Sequence, residues 1–531
     1  MGIDNTRYDT IHRDNIHLTI RDYLSDGISI KWAFLAVIFA LAILLLQPKR
    51  PRIKGAPLHG SKGWWEPSWL LSIRFIYDAY NIIDTGYQNF KNQPFIVRRL
   101  DTDIHVLPMK YLDELRLLPR NDLNGKMVHY NNLFRSWPWA SVIRDSDLHV
   151  TVLTRKLNPD VAKYLDMAYE EFKYGWDLDV PQPEEWTTVD IQQSMRMLVA
   201  RMSARVFVGD PTCRDPTWLG LTLNFSMDLF LAGFTLRMFP LWMRSFVKPF
   251  IPARWRVQKQ IDIGTEVVRE FMAKREEDAR AGNKETEDTL FEWMMEHAVG
   301  KEGTLDQMAA RQCILTLASI HTTATTVANV LFDMIEYPEW FSVLRNEIDD
   351  TIKRHGELGQ NMPIKTWLEY LEKMDSFILE SQRMNPPILL TPQRIAMMPI
   401  TLKDGTHIPK DVRIAWAGPA HAFDPSINPE PQKFDPMRSY RKRHSGGGEN
   451  LKKFMVGQTD PDNMSFGYGN QVCPGRYFAV GEIKLVLVRL LQEFDFASAG
   501  GTGRPRNLHF DENVILDPQA KVQMKRREVA V

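Results

Sequence analysis

Cysteine is scarce in this chain: three in 531 residues, Cys213, Cys313 and Cys473. So small and odd a set excludes a disulfide framework and fits a catalytic domain kept in a reducing compartment. A charge bias is missing as well. Lys and Arg number 66 and Asp and Glu number 66, so no whole-molecule field favours nucleic acid, and no nucleic-acid partner is expected. No internal repeat is visible. No G-x-G-x-x-G follows a predicted strand, and the glycines at 500, 501 and 503 read as a turn, so no phosphate-cradling loop is expected. The chain therefore carries no nucleotide domain of its own, and any electrons it uses come from elsewhere. What remains is a chain that is 44% hydrophobic, ample for a large core.

One long apolar run is present, Trp32 to Leu46. It falls short of the ~20 residues a spanning helix needs, and Ile28 and Ile30 extend it if Lys31 snorkels to the interface. Lys49, Arg50, Arg52 and Lys54 follow at once, whereas residues 1–27 carry more Asp than Arg. The positive-inside rule then puts the C-terminal bulk on the cytosolic side. A charged leader and the lack of a small-residue cleavage site argue against a removed signal peptide. The expected layout is a lumenal leader (1–27), one transmembrane anchor (28–47), a basic Pro/Gly-rich hinge (48–63) and one catalytic domain (64–531).

Within that domain, apolar spacing is mostly helical from about residue 100 to 385, with a break at Asp210-Pro211. Short β-like runs follow between Pro392 and Trp416, including Ile400-Thr401-Leu402 and Val412-Arg413-Ile414, with Asp404-Gly405 as a hairpin signal between them. The fold class is α+β, mostly helical with small sheets.

The segment Phe466-Gly467-Tyr468-Gly469-Asn470-Gln471-Val472-Cys473-Pro474-Gly475-Arg476 brings a cysteine to the mouth of a helix. Gly467 and Gly469 permit a tight bend lying close against a flat ligand. Pro474 suits a first helical turn, and Ala479, Ile483, Val486 and Leu490 keep helical spacing beyond it. A sulfur there meets unpaired N–H groups and the positive end of the dipole, which favour its thiolate. Taken alone, a lone cysteine beside a turn is more often an ordinary buried thiol. Here Phe466, Gly469, Cys473 and Gly475 match F-x-x-G-x-x-x-C-x-G, which resembles the haem-binding loop of the cytochrome P-450 family. The resemblance implies a cytochrome P-450 fold and haem b, with Cys473 as the axial iron ligand. Asn470 and Gln471 stand where the family usually has basic residues, so Gln471 could offer a haem propionate a neutral hydrogen bond but no charge.

Three further segments follow the family in the right order. Glu380 and Arg383, at i and i+3 on a helix ended by Pro386 and Pro387, would by themselves read as a surface pair. With Phe434-Asp435-Pro436-Met437-Arg438 downstream they resemble the family's buried Glu–Arg–Arg network, which implies that Arg438 joins Glu380 and Arg383 in structural support of the cysteine loop. Leu317-Ala318-Ser319-Ile320-His321-Thr322-Thr323-Ala324 resembles the oxygen-binding helix, with Thr322 as the proton-relaying threonine. His321 replaces the usual acidic residue; it is either a proton shuttle, since histidine titrates near neutral pH, or a packing residue. Arg155, on an early helix, and Arg394, after Pro392, match the arginines that hold haem propionates.

The stretch Phe225 to Trp255 mixes aromatics with Arg244, Lys248, Arg254 and Arg256. It reads as buried core or as a surface resting in a membrane interface, and in the family this region roofs the substrate pocket. Pro386 to Leu390 are expected pocket walls. The basic residues Arg438, Arg441, Lys442, Arg443, Lys452 and Lys453 form either a solvated loop or a docking face for an acidic flavoprotein. The resemblance, closest in its Ile-His-Thr-Thr variant to fungal ent-kaurene-oxidase-like members, implies a monooxygenase in the endoplasmic reticulum membrane. It would oxidise a hydrophobic secondary metabolite such as a terpenoid, with dioxygen and with electrons from NADPH through a separate reductase. A redox-independent haem-thiolate isomerase or dehydratase, and a haem-binding sensor, are the alternatives.

Overall fold

The computed structural model describes residues 50–528 apart from Trp64, Pro240, 283–286 and Thr502. The leader and the anchor, and with them the first residues of the hinge, lie outside the described residues. Pro51 onward forms one compact unit.

The principal helices are α1 (Ser68–Asn89), α2 (Val161–Asp179), α3 (Ile191–Phe207), α4 (Pro216–Arg237), α5 (Pro252–Ala281), α6 (Leu305–Glu336), α7 (Glu339–His355), α8 (Glu372–Met384) and α9 (Arg476–Glu493). Local sequence explains several of their starts. Asp190 and Asp215 cap α3 and α4 by accepting the backbone N–H groups of Gln193 and Thr217, and Pro216 occupies the first turn of α4. The core gathers around α2, α3, α6, α8 and α9. Gly481 is required there, because a Cβ would lie 2.4 Å from Leu165 Cδ2 on α2.

A five-stranded sheet has the order β1 (Phe95–Arg98), β2 (Asp103–Val106), β8 (Arg413–Ala415), β5 (Gln393–Ala396) and β3 (Leu123–Asn124). Only β2 and β8 run parallel. A second sheet has β4 (Thr187–Val189), β12 (Val522–Arg526) and β9 (Phe494–Ser498), and β10 (Leu508–Phe510) forms a hairpin with β11 (Asn513–Ile515). Asp404-Gly405 does sit in a hairpin, but β6 (Ile400–Thr401) pairs with β7 (His407–Ile408). The expected partner run, 412–414, is drawn instead between β2 and β5, where Arg413 and Ile414 are buried on both sides.

α4 and α6 are long and apolar enough to cross a membrane, and about half of each is buried inside the fold. Cys213 and Cys313 are buried, and burial pushes each thiol up to about 12. Both are inert packing residues, as their sparse placement suggests.

One buried ion pair joins the elements on either side of the cysteine loop. Lys484 of α9 places Nζ 2.5 Å from Asp375 Oδ1 of α8 and donates to the Leu368 carbonyl. Asp375 Oδ2 accepts the N–H of Val456, ahead of the loop. Removing one partner strands a charge in the core, at a cost of about 3–5 kcal/mol. Lys484→Met should therefore lower the thermal unfolding midpoint strongly, and Asp375→Leu in the same chain should recover most of the loss.

Candidate active site

The cysteine loop bends as its glycines suggested. Gly467 and Gly469 have φ of 78° and 83°, in the left-handed region. At Gly469 the approach is also close, since a Cβ would meet the Arg116 carbonyl oxygen at 2.3 Å. The Cys473 N–H donates to the Phe466 carbonyl at 2.8 Å, closing the loop on itself. Asn470 and Gln471 act as neutral tethers. The Asn470 side chain donates to the Leu117 and Leu118 carbonyls at 3.1 and 2.8 Å. Gln471 donates to the Leu123 carbonyl and accepts the Gly125 N–H, each at 2.7 Å, so this amide holds the loop to the neighbouring strand.

The Cys473 sulfur is half-buried. Burial pushes its thiol up, against the opposing effects of the Gly475 and Arg476 N–H groups and the Arg476 charge. The helix-start donors are present as expected, but desolvation outweighs them. A thiolate in this niche is stabilised outright by a metal. Arg476 clamps the loop further, donating to the Cys473 and Gly457 carbonyls at 3.0 and 2.9 Å.

Glu380, Arg383 and Arg438 come together and are nearly buried. Arg383 makes a bidentate pair with Glu380 at 2.7 and 2.9 Å, and Arg438 Nε reaches it at 3.3 Å. The Asp435 N–H donates to the same carboxylate at 3.0 Å. The remaining guanidinium donors go to backbone carbonyls, those of Pro429 and Pro431 both at 2.8 Å and those of Glu430 and Lys433 at 3.4 Å. The network therefore fixes α8 to the chain leading into the cysteine loop. It contains no free acid or base, and its role is support.

The helix α6 is buried along most of its length, yet Ala318 and Thr322, one turn apart in its middle, are exposed. Both side chains keep open surface, and α6 packs directly against α9, the helix that Cys473 precedes. The Thr322 hydroxyl donates to the Ala318 carbonyl at 2.9 Å, and its oxygen keeps acceptor capacity. His321 points elsewhere, its Nε2–H donating to the Leu223 carbonyl of α4 at 3.3 Å.

Two arginines fit a dianionic cofactor edge. Arg394 is buried and donates to the Gln393 and Tyr468 carbonyls at 2.9 and 3.2 Å. No carboxylate among the described residues pairs with it, and burial lowers its pKa to about 10. Arg155 is exposed on its short helix with no ion pair among the described residues. Sequence reasoning missed His129. It keeps free surface, although desolvation first, then the Arg413 and Arg394 charges, hold its pKa at about 4. No motif marked it. A lone cysteine with converging N–H groups, glycines that leave room for a flat ring, and two unpaired guanidiniums together fit a haem with its propionates.

Some expected placements do not hold. Leu390 is a core residue, whereas Pro386, Pro387 and Ile388 line a cleft on the Glu380–Arg438 side and Leu389, itself nearly buried, borders a second hollow with Tyr80, Phe423 and His509. The basic run is not one continuous face. Arg438 and Arg443 are buried, Arg443 against Glu372 at 3.1 Å, which leaves Arg441, Lys452 and Lys453 exposed. The aromatic stretch divides. Phe225 is core, Phe246, Phe250 and Trp255 are exposed, and the Trp242 side chain lies outside the described residues.

His321 does not titrate near neutral pH. Burial first, then the Arg196 charge, hold its pKa at about 4 against an ordinary 6.5. The unfolded chain thus binds its proton first on acidification. The stabilisation is complete above pH 6.5 and is lost as pH falls toward 4. His321→Gln should flatten the fall of thermal stability across that window, by up to about 1.4 kcal/mol per pH unit, and leave stability at pH 8 to 9 without a pH slope of its own.

Comparison with known proteins agrees with this geometry. The sequence profile described as Cytochrome P450 matches residues 150–526. The chain is 42% identical over 502 residues to cytochrome P450 monooxygenase ATR4 of Stachybotrys chlorohalonatus, covering 94% of this chain and 96% of that protein. It is 37% identical to cytochrome P450 monooxygenase sdnB of Sordaria araneosa, covering 94% and 92%. It is also 37% identical to ent-kaurene oxidase P450-4 of Gibberella fujikuroi, covering 89% and 93%. With the cysteine loop, the buried Glu380 network and the exposed threonine of α6 in place, the chain belongs to the cytochrome P450 family, as a monooxygenase of the fungal secondary-metabolism type.

Proposed function

We propose that this monooxygenase hydroxylates or otherwise oxidises a hydrophobic secondary metabolite: a terpenoid, a meroterpenoid or a prenylated indole alkaloid. It takes its electrons from NADPH through a separate cytochrome P-450 reductase, at the endoplasmic reticulum membrane, with its catalytic domain cytosolic and one N-terminal anchor. The observation that carries this reading is the exposed Ala318–Thr322 stripe on an otherwise buried helix packed against α9. An apolar wall and one hydroxyl then face the bound molecule.

When bound, the haem supplies reductive activation of dioxygen. Cys473 holds the iron through its sulfur, and Arg155, Arg394 and Gln471 are the expected partners of the cofactor's edge. Phe466, Gly469 and Gly475 shape the loop beneath it. Thr322 positions a proton: its hydroxyl releases the Ala318 carbonyl, donates toward the cleft, and accepts a proton in return. His321 is a positioning residue, neutral and tied to Leu223, and keeps α4 in contact with α6 beside the threonine. Arg441, Lys452 and Lys453 are the exposed cations offered to an acidic reductase surface. The redox-independent isomerase or dehydratase reading needs an acid–base residue in the cleft. Neutral, carbonyl-bound His321 does not supply one, and a sensor would not need Thr322.

Turnover with reductase and NADPH under heavy-isotope dioxygen tests this, using a panel of diterpenes, meroterpenoids and prenylated indoles. The expected product carries one labelled oxygen, and Thr322→Ala is expected to consume NADPH with several-fold less product. Turnover without NADPH or label would overturn the reading, and normal coupling in Thr322→Ala would remove the relay.

A further inference from the structure

A second charged cluster lies away from the cysteine loop, at the end of α4. Arg237, the last residue of that helix, makes an ion pair with Asp511 at the tip of the β10–β11 hairpin and lies 3.8 Å from Asp101. Arg99 binds Asp101 at 2.7 Å and Glu512 at 2.6 Å. Arg413 of β8 joins Glu512 at 3.3 Å, and Arg99 and Arg413 both donate to the Asn132 side-chain oxygen at 2.8 Å. Asp101, in the β1–β2 turn, also draws Arg244 to 3.8 Å.

All these charged side chains are nearly excluded from solvent, with exposures of 1–11%. They tie together segments far apart in sequence: the β1–β2 turn, the 130–134 segment, the end of α4, β8 and the β10–β11 hairpin. Burying charges is a poor way to gain stability, because desolvation offsets most of the attraction. Such a cluster does hold its members in one discrete arrangement, and it strands charges when one member leaves. An apolar contact would allow sliding instead.

Two contacts connect this cluster to the active site. α4 meets α6 through the Leu223 carbonyl and His321, next to Thr322. Leu133 Cδ2 would lie 2.9 Å from a Cβ at Gly233, so the 130–134 segment and α4 are in close contact four residues before Arg237. The hairpin is itself anchored: the Asp511 N–H donates to the Ile76 carbonyl of α1 at 2.7 Å, and the Leu389 N–H donates to the Glu512 carbonyl at 2.8 Å. Phe234 and Phe510 pack at 5.2 Å beside the Arg237 ion pair, with the Arg237 guanidinium 5.1 Å from the Phe234 ring. Buried Leu229, Ala232 and Leu236 pack the inner face of α4, and Arg237 adds the ionic tie between its end and the hairpin.

We propose that Arg237, Asp101 and Asp511 form a latch that holds the end of α4 against the hairpin, positions α4 over Thr322, and sets the size of ligand that reaches the cleft. Arg237 and Asp511 are positioning residues, not catalytic ones. The proposal deepens the monooxygenase reading, but its test reads ligand entry and backbone opening, not turnover.

The test uses full-length holoprotein and two nitrogenous haem ligands, imidazole and the bulky clotrimazole, with rates followed by stopped-flow absorbance. Arg237→Gln should raise the clotrimazole association and dissociation rates about tenfold and leave the imidazole rates unchanged. Amide hydrogen exchange should rise together in residues 230–237 and 508–515. Arg237→Lys, which keeps the positive charge among these carboxylates, should retain slow clotrimazole kinetics. If Arg237→Gln does not retain cofactor, Asp511→Asn carries the same comparison. Equal changes for both ligands, no change for either, or loss of the cofactor in both variants would overturn the latch. A failed heavy-oxygen turnover would leave these rates intact, so the two claims fail separately.

Discussion

A metal-binding sulfur must be kept away from water and must also be held still, and the structure is organised around meeting both demands at Cys473. The first demand raises the cost of the thiolate, as the upward push of burial on this thiol shows. The second is met by ties on either side of the loop. Asp375 and Lys484 join α8, Val456 and α9. Glu380, with Arg383 and Arg438, ties the other half of α8 to the 429–435 segment. Asn470 and Gln471 pin the loop's outer edge to the backbone of residues 117–125. One helix, α8, thus carries two separate anchors, five residues apart at Asp375 and Glu380. Neither contributes a reacting atom, and the chemistry depends on both.

Buried charge serves two purposes in this protein. Around α8 it fixes geometry, and every charge has a counter-charge and hydrogen bonds. At the end of α4 it adds an ionic joint beside the Phe234–Phe510 contact. Arg394 shows a third pattern, a buried guanidinium with carbonyl partners and no carboxylate. A cation left uncompensated in a core is costly, and an anionic cofactor edge, as proposed for it above, would compensate it.

The sequence made the cysteine loop legible because its demands are local, two left-handed glycines and one sulfur at fixed spacing; Pro474 falls ahead of α9, whose first turn opens at Arg476 after the Gly475 cap. The Glu380–Arg383–Arg438 network was legible only through order along the chain, since an i, i+3 pair on a helix reads as surface. For His321 the sequence left two readings open, a proton shuttle and a packing residue. Its ordinary pKa suggested a shuttle, but desolvation and Arg196 keep it neutral, and neither is visible in sequence. The basic run before the loop is interrupted for a similar reason: Arg438, as the network implied, turns inward to a carboxylate 58 residues upstream, and Arg443 does the same to one 71 residues upstream. The latch and His129 left no trace at all. Each depends on contacts between segments hundreds of residues apart.

The account stands on Cys473 as the iron ligand in a loop held by the network of α8. The most direct measurement is the carbon monoxide difference spectrum of the reduced, purified holoprotein beside that of Cys473→Ser at equal haem content. The account predicts the red-shifted Soret band of thiolate ligation in the native protein and its complete absence in the variant. The same red-shifted band in both proteins would contradict it.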